Sequence, residues 1–388
     1  MASSQNITDE MRVIDTGVAP TRFARGWHCL GLLSEFTDGK PHQISAFGTE
    51  LVVFAGEDGK LNVLNAFCPH MGGNLADGTV KGNTIACPFH DWRWRGDGKC
   101  ADIPYARRVP PLARTKSWVT LERNGQLYVW NDPQNRKPPA DITIPEIEMY
   151  GDPGWTDWVW NKLEVRGSHC REIVDNVVDM AHFFYVHYAM PVFFRNVFEG
   201  HIATQIMHSK PRADATGDRQ DTNYDQANSS EASYFGPSYM IDKLWSDNSN
   251  VGDSPDMMLI NCHYPISADA FVLQYGVMVK KPLGLPEEVA NDIAAEVAAG
   301  IAVGFEQDVA IWKRKSRIDN PLLSEEDGPV YQLRRWYEQF YVDVEDIEPE
   351  MTNRFEFEID TERALASWQA EVDANVAAGR SATDIAVI

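Results

Sequence analysis

The sequence predicts an α+β protein of two domains, a β-rich N-terminal domain followed by a larger one in which a sheet is accompanied by helices. Two hairpin patterns lie within the first 130 residues, a helical apolar period begins near Ser168 and returns beyond residue 286, and strand-like runs fill the interval between. A chain of 388 residues is long for one domain, and 44% hydrophobic with 24% charged residues is a globular composition.

Residues 1–20 read as an arm. The alternating runs 51–54 and 61–67 flank Gly56-Glu57-Asp58-Gly59, and 119–122 with 126–130 flank Asn124-Gly125, so both form β-hairpins. The Pro-, Asp- and Lys-rich stretch 131–144 closes the first domain, placed at 21–150, and the second occupies 151–388. Residues 157–165 read as a strand. Residues 168–188 read as one helix, with Ile173, Val177, Met180 and Phe184 at three- and four-residue steps. Strands follow at 202–207, 257–264 and 270–279, separated by polar stretches 210–231 and 246–256, expected to be mobile lids. Pro286-Glu287-Glu288 opens an Ala-rich helix running past Trp312, with Gly300 and Gly304 as weak points, and further helices lie at 330–341 and 362–376.

Lys and Arg total 35 against 57 Asp and Glu, a net charge of −22, which argues against a nucleic-acid or anionic-membrane partner. No apolar stretch reaches the roughly 20 residues of a membrane span. Six cysteines are too few for a disulfide framework, and the first twenty residues lack a signal-peptide pattern, so the expected setting is cytoplasmic.

The sharpest local signal is Cys68-Pro69-His70 followed, after sixteen intervening residues, by Cys87-Pro88-Phe89-His90. Each loop offers one thiolate and one imidazole, which suits a Rieske 2Fe-2S cluster with two Cys on one iron and two His on the other. A structural zinc site is the rival, although zinc fingers usually group the Cys pair apart from the His pair. Gly72-Gly73 after the first loop, and Gly96 and Gly98 after the second, would let backbone N–H groups approach the cluster sulfurs. Trp92 and Trp94 would shield it. Cys29, Cys100, Cys170 and Cys262 receive no role.

A second constellation lies on the 168–188 helix. Asn176, Asp179 and His182 follow at three-residue steps and would share a face, with His187 five residues later. An i, i+5 pair is displaced by about 140° on a regular helix, so both imidazoles can hold one metal only if the helix ends or bulges there. A facial 2-His-1-carboxylate site for non-haem Fe(II) then needs one acid. Asp308 is the leading candidate, with Glu306 and Glu172 as rivals. Two His on an amphipathic helix are more often packing residues, but a one-electron relay upstream makes an oxygen-activating iron its natural partner.

With these two motifs in this order, the chain resembles the Rieske non-haem iron oxygenases over nearly its whole length. The resemblance implies a Rieske domain followed by a helix-grip catalytic domain with an antiparallel sheet. It implies that Cys68, His70, Cys87 and His90 hold the 2Fe-2S cluster and that His182, His187 and Asp308 hold the mononuclear Fe(II). It also implies that Asp179, with Asn176 beside it, carries electrons to the iron from a Rieske His of a neighbouring subunit in a ring-shaped homotrimer. Arene dihydroxylases have Arg after the first Rieske His and Gly after the second, where this chain has Met71 and Asp91. Instead, C-P-H-M-G-G-N-L, C-P-F-H-D-W-R-W and D-N-V-V-D-M-A-H-F-F-Y-V-H are similar to the members that hydroxylate ketosteroids. That likeness implies O2-dependent 9α-hydroxylation of 4-en-3-one or 1,4-dien-3-one steroids during steroid degradation, the substrate free or as a coenzyme A thioester. Electrons would come from NADH through a separate flavin and iron-sulfur reductase.

Two other readings stay open at the level of sequence: a Rieske monooxygenase or desaturase acting on another sterol or apolar ring, and a Rieske electron carrier fused to a lipid-binding module. For the substrate pocket, Phe305 and Trp312 share a helix face with Asp308, and Gln205 and Asn261 are strand amides able to bond a ketone. Lys313, Arg314, Lys315 and Arg317 form a basic cluster that could meet a thioester or an acidic electron donor.

Overall fold

A computed structural model describes residues 13–215, 227–246, 255–281, 284 and 286–385. The N-terminal part is built from short antiparallel strands: β1 (Gly26–Leu32), β2 (His42–Ala46), β3 (Thr49–Ala55), β4 (Leu61–Asn65), β5 (Thr79–Lys81), β6 (Thr84–Ala86), β7 (Arg93–Arg95), β8 (Cys100–Asp102), β9 (Thr120–Arg123) and β10 (Gln126–Asn131). They form sheets ordered β1-β10-β9, β2-β3-β4 and β5-β6-β7-β8. Both expected hairpins are present, β3 with β4 and β9 with β10. The tight turn of the second places Asn124 and Gly125 at φ of 54° and 75°, the left-handed region that Asn and Gly tolerate best.

The C-terminal part opens with β11 (Val159–Arg166), then α1 (Arg171–Asp175) and α2 (Met180–Tyr185). A long meander follows: β12 (Ala189–Glu199), β13 (Ile202–Pro211), β14 (Asn228–Phe235), β15 (Tyr239–Trp245), β16 (Met257–Ser267) and β17 (Ala270–Val279). The chain ends with α3 (Glu287–Trp312), α4 (Val330–Glu338), α5 (Pro349–Thr352), β18 (Phe355–Glu358), α6 (Glu362–Ala377) and α7 (Ala382–Ile385). The eight strands make one antiparallel sheet, ordered β11-β17-β16-β15-β14-β13-β12-β18. Helix α3 lies on it through Ala294 and Ala298, whose small side chains let it come close to Leu259, Tyr275 and Val277.

The two parts share their cores. Trp27 and Tyr128 from the first pack with Tyr239 and Ile260 from the second, and Leu30 and Leu127 pack with Tyr264 and Val272. Gln274 donates to the Cys29 carbonyl at 2.8 Å across this seam.

Several expectations change. The single helix expected over 168–188 is broken: α1 gives way to a tight turn at Asn176–Val178, and Asp179 turns extended (φ −91°, ψ 91°) before α2 begins. Aspartate is a poor helix-interior residue and a good N-cap, and its carboxylate accepts the His182 N–H at 3.3 Å. Helix α2 ends at Tyr185, and the chain passes through a left-handed Tyr188 (φ 56°) into β12. Gly300 and Gly304 do not interrupt α3. The expected lids are shorter, because β13 runs to Pro211 and β14 starts at Asn228; residues 216–226 and 247–254 lie outside the described part, as do 1–12 of the arm. The described end of the arm is tied down, Asp15 accepting the Asp319 N–H at 2.7 Å.

Candidate metal centres and the cavity beneath them

The two cluster loops, Cys-x-His and Cys-x-x-His, have the same backbone geometry. In the first, the Cys68 N–H donates to Gly73 O at 2.8 Å and the Gly72 N–H to Cys68 O at 2.9 Å. In the second, the Cys87 N–H donates to Trp92 O and the Asp91 N–H to Cys87 O, both at 2.9 Å. The fourth residue after each Cys is left-handed, Gly72 at φ 79° and Asp91 at φ 56°. Asp91 therefore fills the place of a turn glycine. Lys81 at 2.7 Å and Arg93 at 3.0 Å hold its carboxyl below the usual range.

Cys68 and Cys87 are buried, and burial raises the Cys68 thiol to about 11. The His70 and His90 rings lie 4.7 Å apart, and Trp92 stacks on His70 at 4.4 Å and 11°. His90 Nδ1 is buried without a partner among the described residues, which fits a ligand atom facing a cluster. A Cβ on Gly73 would sit 2.8 Å from Cys87 Sγ, so only glycine lets the backbone come this close. Gly96 and Gly98 serve otherwise: a Cβ there would meet Asn62 and Thr115, not a cysteine. Trp94 is fully buried against Cys68 and Cys87.

The second site gathers three elements. Ligand atoms of His182 on α2, His187 beyond its end, and Asp308 on α3 all lie within 4.8 Å of one another. The helix end carries His187 round to face His182, which a continuous helix would not. His182 Nδ1 bonds the Asp179 carbonyl, leaving Nε2 free to ligate. Burial depresses protonation of His182, favouring the neutral imidazole a metal needs. Asp308 Oδ2 accepts from the Asn176 amide at 3.0 Å, and Oδ1 lies 3.4 Å from His187 Nε2. Two partly buried imidazoles and one buried carboxylate are the donor set of a facial iron site. Asp179 lies beside His182 with its side chain 51% exposed.

Supports come from outside the site. Arg212 donates to Phe184 O at 2.9 Å, lies 3.7 Å over the Phe184 ring and pairs with buried Asp214 at 2.8 Å, fastening α2 to β13. Glu172 pairs with Lys315 at 2.8 Å and Arg317 at 3.2 Å, while Asp175 pairs with Arg317 at 3.1 Å and Arg334 at 2.7 Å, fixing α1 beside the end of α3. Two of the four cations expected to meet an outside partner are thus bonded within the fold, and Glu172, a rival ligand, is spent on them.

The facial triad opens into a cavity of about 820 Å³ between the sheet and α3, within the usual range for small-molecule sites. Gln205, Asn261 and Phe305 line it. Trp312 does not: it is buried with Val174 and Trp336, where α1 and α4 close over the last turn of α3. Sequence reasoning missed Met240 and the buried acid Asp242, both on β15, a strand for which no expectation was formed. Its run Tyr-Met-Ile-Asp-Lys-Leu-Trp, apolar and aromatic at both ends, was the available signal for a strand, though not for the face Asp242 takes.

The β-rich cluster domain, the large antiparallel sheet and the 2-His-1-carboxylate set together define a Rieske-type oxygenase architecture. A family description for the Rieske [2Fe-2S] domain matches residues 26–114, and one for the 3-ketosteroid 9α-hydroxylase C-terminal domain matches residues 129–341. The chain belongs to the 3-ketosteroid 9α-hydroxylase oxygenase family. It is 73% identical over 379 residues to a probable 3-ketosteroid-9-alpha-monooxygenase oxygenase component of Rhodococcus rhodochrous, spanning 98% of this chain and 95% of that one. It is 55% identical to the corresponding component of Mycobacterium tuberculosis, over 97% of this chain and 96% of the relative. A crystal structure of dicamba monooxygenase with non-haem iron and dicamba has the same fold, with TM-score 0.60 and 18% identity over 83% of this chain and 98% of that one. Among the described residues no helix is long and apolar enough to cross a membrane.

Proposed function

We propose that this protein is the oxygenase component of a 3-ketosteroid 9α-monooxygenase, hydroxylating 4-en-3-one or 1,4-dien-3-one steroids with electrons from a separate reductase. The observation that carries the reading is the triad of His182, His187 and buried Asp308 in the lining of a mainly apolar cavity. In this reading residues 21–150 form the cluster domain and 151–388 the catalytic domain. Cys68, His70, Cys87 and His90 hold the 2Fe-2S cluster, and the triad holds one Fe(II). The bound centres supply one-electron relay and O2 activation. The chain's own residues do the rest. The Asp179 carbonyl sets the His182 tautomer, Asn176 orients Asp308, and the sheet face with Phe305 holds a flat polycycle away from water. An electron carrier with a lipid-binding module would have no use for the triad.

The working unit in this reading is a ring of three subunits in which Asp179 passes electrons across each interface. Half-exposed Asp179 supports it, as do Phe67, Met71 and Phe89, apolar side chains exposed at the tip of the cluster domain. The test is product analysis with NADH, O2 and a reconstituted reductase. A 9α-hydroxylated ketosteroid is expected, and Asp308→Ala should keep the Rieske absorption and lose turnover. Hydroxylation at another carbon, or a fully active Asp308→Ala enzyme, would overturn the reading. A coenzyme A thioester belongs in the same assay: salt-sensitive preference for it is expected if exposed Lys313 and Arg314 meet its phosphates.

A further inference from the structure

The floor of the cavity is a sheet face, and strand pairing arranges its side chains in rows. Gln205 stands opposite Ala232, Ala232 opposite Asp242, and Asp242 opposite Leu259. In the adjoining row Tyr234 stands opposite Met240, and Met240 opposite Asn261. Asp242 and Asn261 are therefore diagonal neighbours on one face, and both line the cavity among Leu244, Leu259 and Phe305. They are 9% and 5% exposed, and Oδ1 of each lacks a partner among the described residues; turning the Asn261 amide end for end puts its N–H in that unpartnered place. Native interiors rarely leave two adjacent polar groups short of bonds, and where they do so inside an apolar cavity a ligand is the natural completion.

Among the described residues no neighbouring cation neutralises the acid. Glu231 on β14 and Lys243 on β15 pair with each other at 3.0 Å on the opposite face of the sheet. Strand β16 brings only Leu259 and Asn261 to the cavity from beside Asp242, and the ionisable groups that share the cavity are His182, His187 and Asp308 with the phenols of Tyr185, Tyr188 and Tyr234. Burial, reinforced by Glu231, lifts the Asp242 carboxyl to about 8, so it carries its proton at neutral pH.

We propose that Asp242 and Asn261 receive a ketone oxygen of the substrate, Asp242 donating its carboxylic O–H and Asn261 its amide N–H. This rests on the ketosteroid reading and adds the groups that recognise the ketone. A ketone oxygen can only accept, so it needs the acid form; a carboxylate would set a buried charge against it. An alcohol both donates and accepts and pairs with either form. Asp242 thus admits ketone and alcohol alike below its titration and turns against the ketone above it.

The experiment is equilibrium binding of androst-4-ene-3,17-dione and of the matching 3,17-diol to the holoenzyme under anaerobic conditions, read by tryptophan fluorescence from pH 7 to 9. The diketone dissociation constant should rise about tenfold over that range, the factor expected for a group titrating near pH 8, while that of the diol stays nearly level. Asp242→Asn, which keeps a donor at every pH, should bind the diketone at pH 7 like the wild type and level its profile; Asp242→Leu should weaken it throughout. A level wild-type profile, or a slope that persists in Asp242→Asn, overturns the proposal while leaving the ketosteroid reading intact. Failure of the wild type to bind either steroid at any pH overturns both.

Discussion

Asn176 donates to one oxygen of Asp308 and leaves the other turned toward His187. Its three-residue spacing from Asp179 and His182 suggested a shared helix face, yet its partner comes from a helix 132 residues further along the chain. That bond restrains the carboxylate in the orientation a facial site needs. Asn176→Ala should lower iron affinity by about 10- to 100-fold, the usual effect of removing a group that orients a ligand, with the Rieske absorption unchanged. Iron titration of the metal-free enzyme measures this, and wild-type affinity in the variant would remove Asn176 from the site. Asp91 and Gly72 make a similar point in the cluster loops: chemically unlike residues, they occupy the same left-handed corner.

Helix α3 is the element on which both the cavity and Asp308 depend. Its alanines bring it close to the sheet, and Gly304 gives His187 its place: a Cβ there would lie 3.5 Å from His187 Nδ1, ordinary contact for a methyl group but a collision for anything longer. The glycine is thus a clearance and not a break. Gly304→Ala should retain iron and raise the melting temperature, since replacing helical Gly by Ala stabilises by about 1 kcal/mol. Gly304→Leu should fold but lose most of its mononuclear iron as the imidazole is pushed aside. Thermal unfolding with iron analysis checks both, and a leucine variant with full iron would show that His187 needs no such room. The break at Asp179 works in a similar way, since it frees the carbonyl that fixes His182.

At the scale of the molecule, the shared cores between the cluster domain and the catalytic sheet hold the two together through buried aromatic contacts rather than a loose hinge. The cluster tip faces outward with apolar side chains, and Asp179 stands half-exposed next to the iron triad. Both fit electron transfer between subunits. Asp179→Asn should retain both metals and assemble normally, yet oxidation of its reduced Rieske centre after rapid mixing with O2 and steroid should slow markedly. Unchanged kinetics would exclude Asp179 from the path, and sedimentation of the wild type as a monomer would exclude the ring.

The sequence alone determined what short-range chemistry can encode. The Cys-x-His and Cys-x-x-His spacings, the hairpins around Asn124-Gly125 and Gly56–Gly59, and the Pro-Glu-Glu start of α3 are local patterns whose physical meaning lies within a few residues. It also marked His182, His187 and Asp308 as candidates. Tertiary structure alone decided how these meet. Asn176 reaches Asp308 because ion pairs of Glu172 and Asp175 with Arg317 lock α1 beside α3, contacts between residues more than a hundred positions apart. Trp312 shares a helical period with Asp308, but period says only which face a residue occupies, and packing against Val174 and Trp336 makes that end of the face core rather than cavity. Asp242 was invisible for a related reason: an aspartate in a strand reads as solvent-facing until the pairing of β14, β15 and β16 sets it on the inner face, where burial changes its charge.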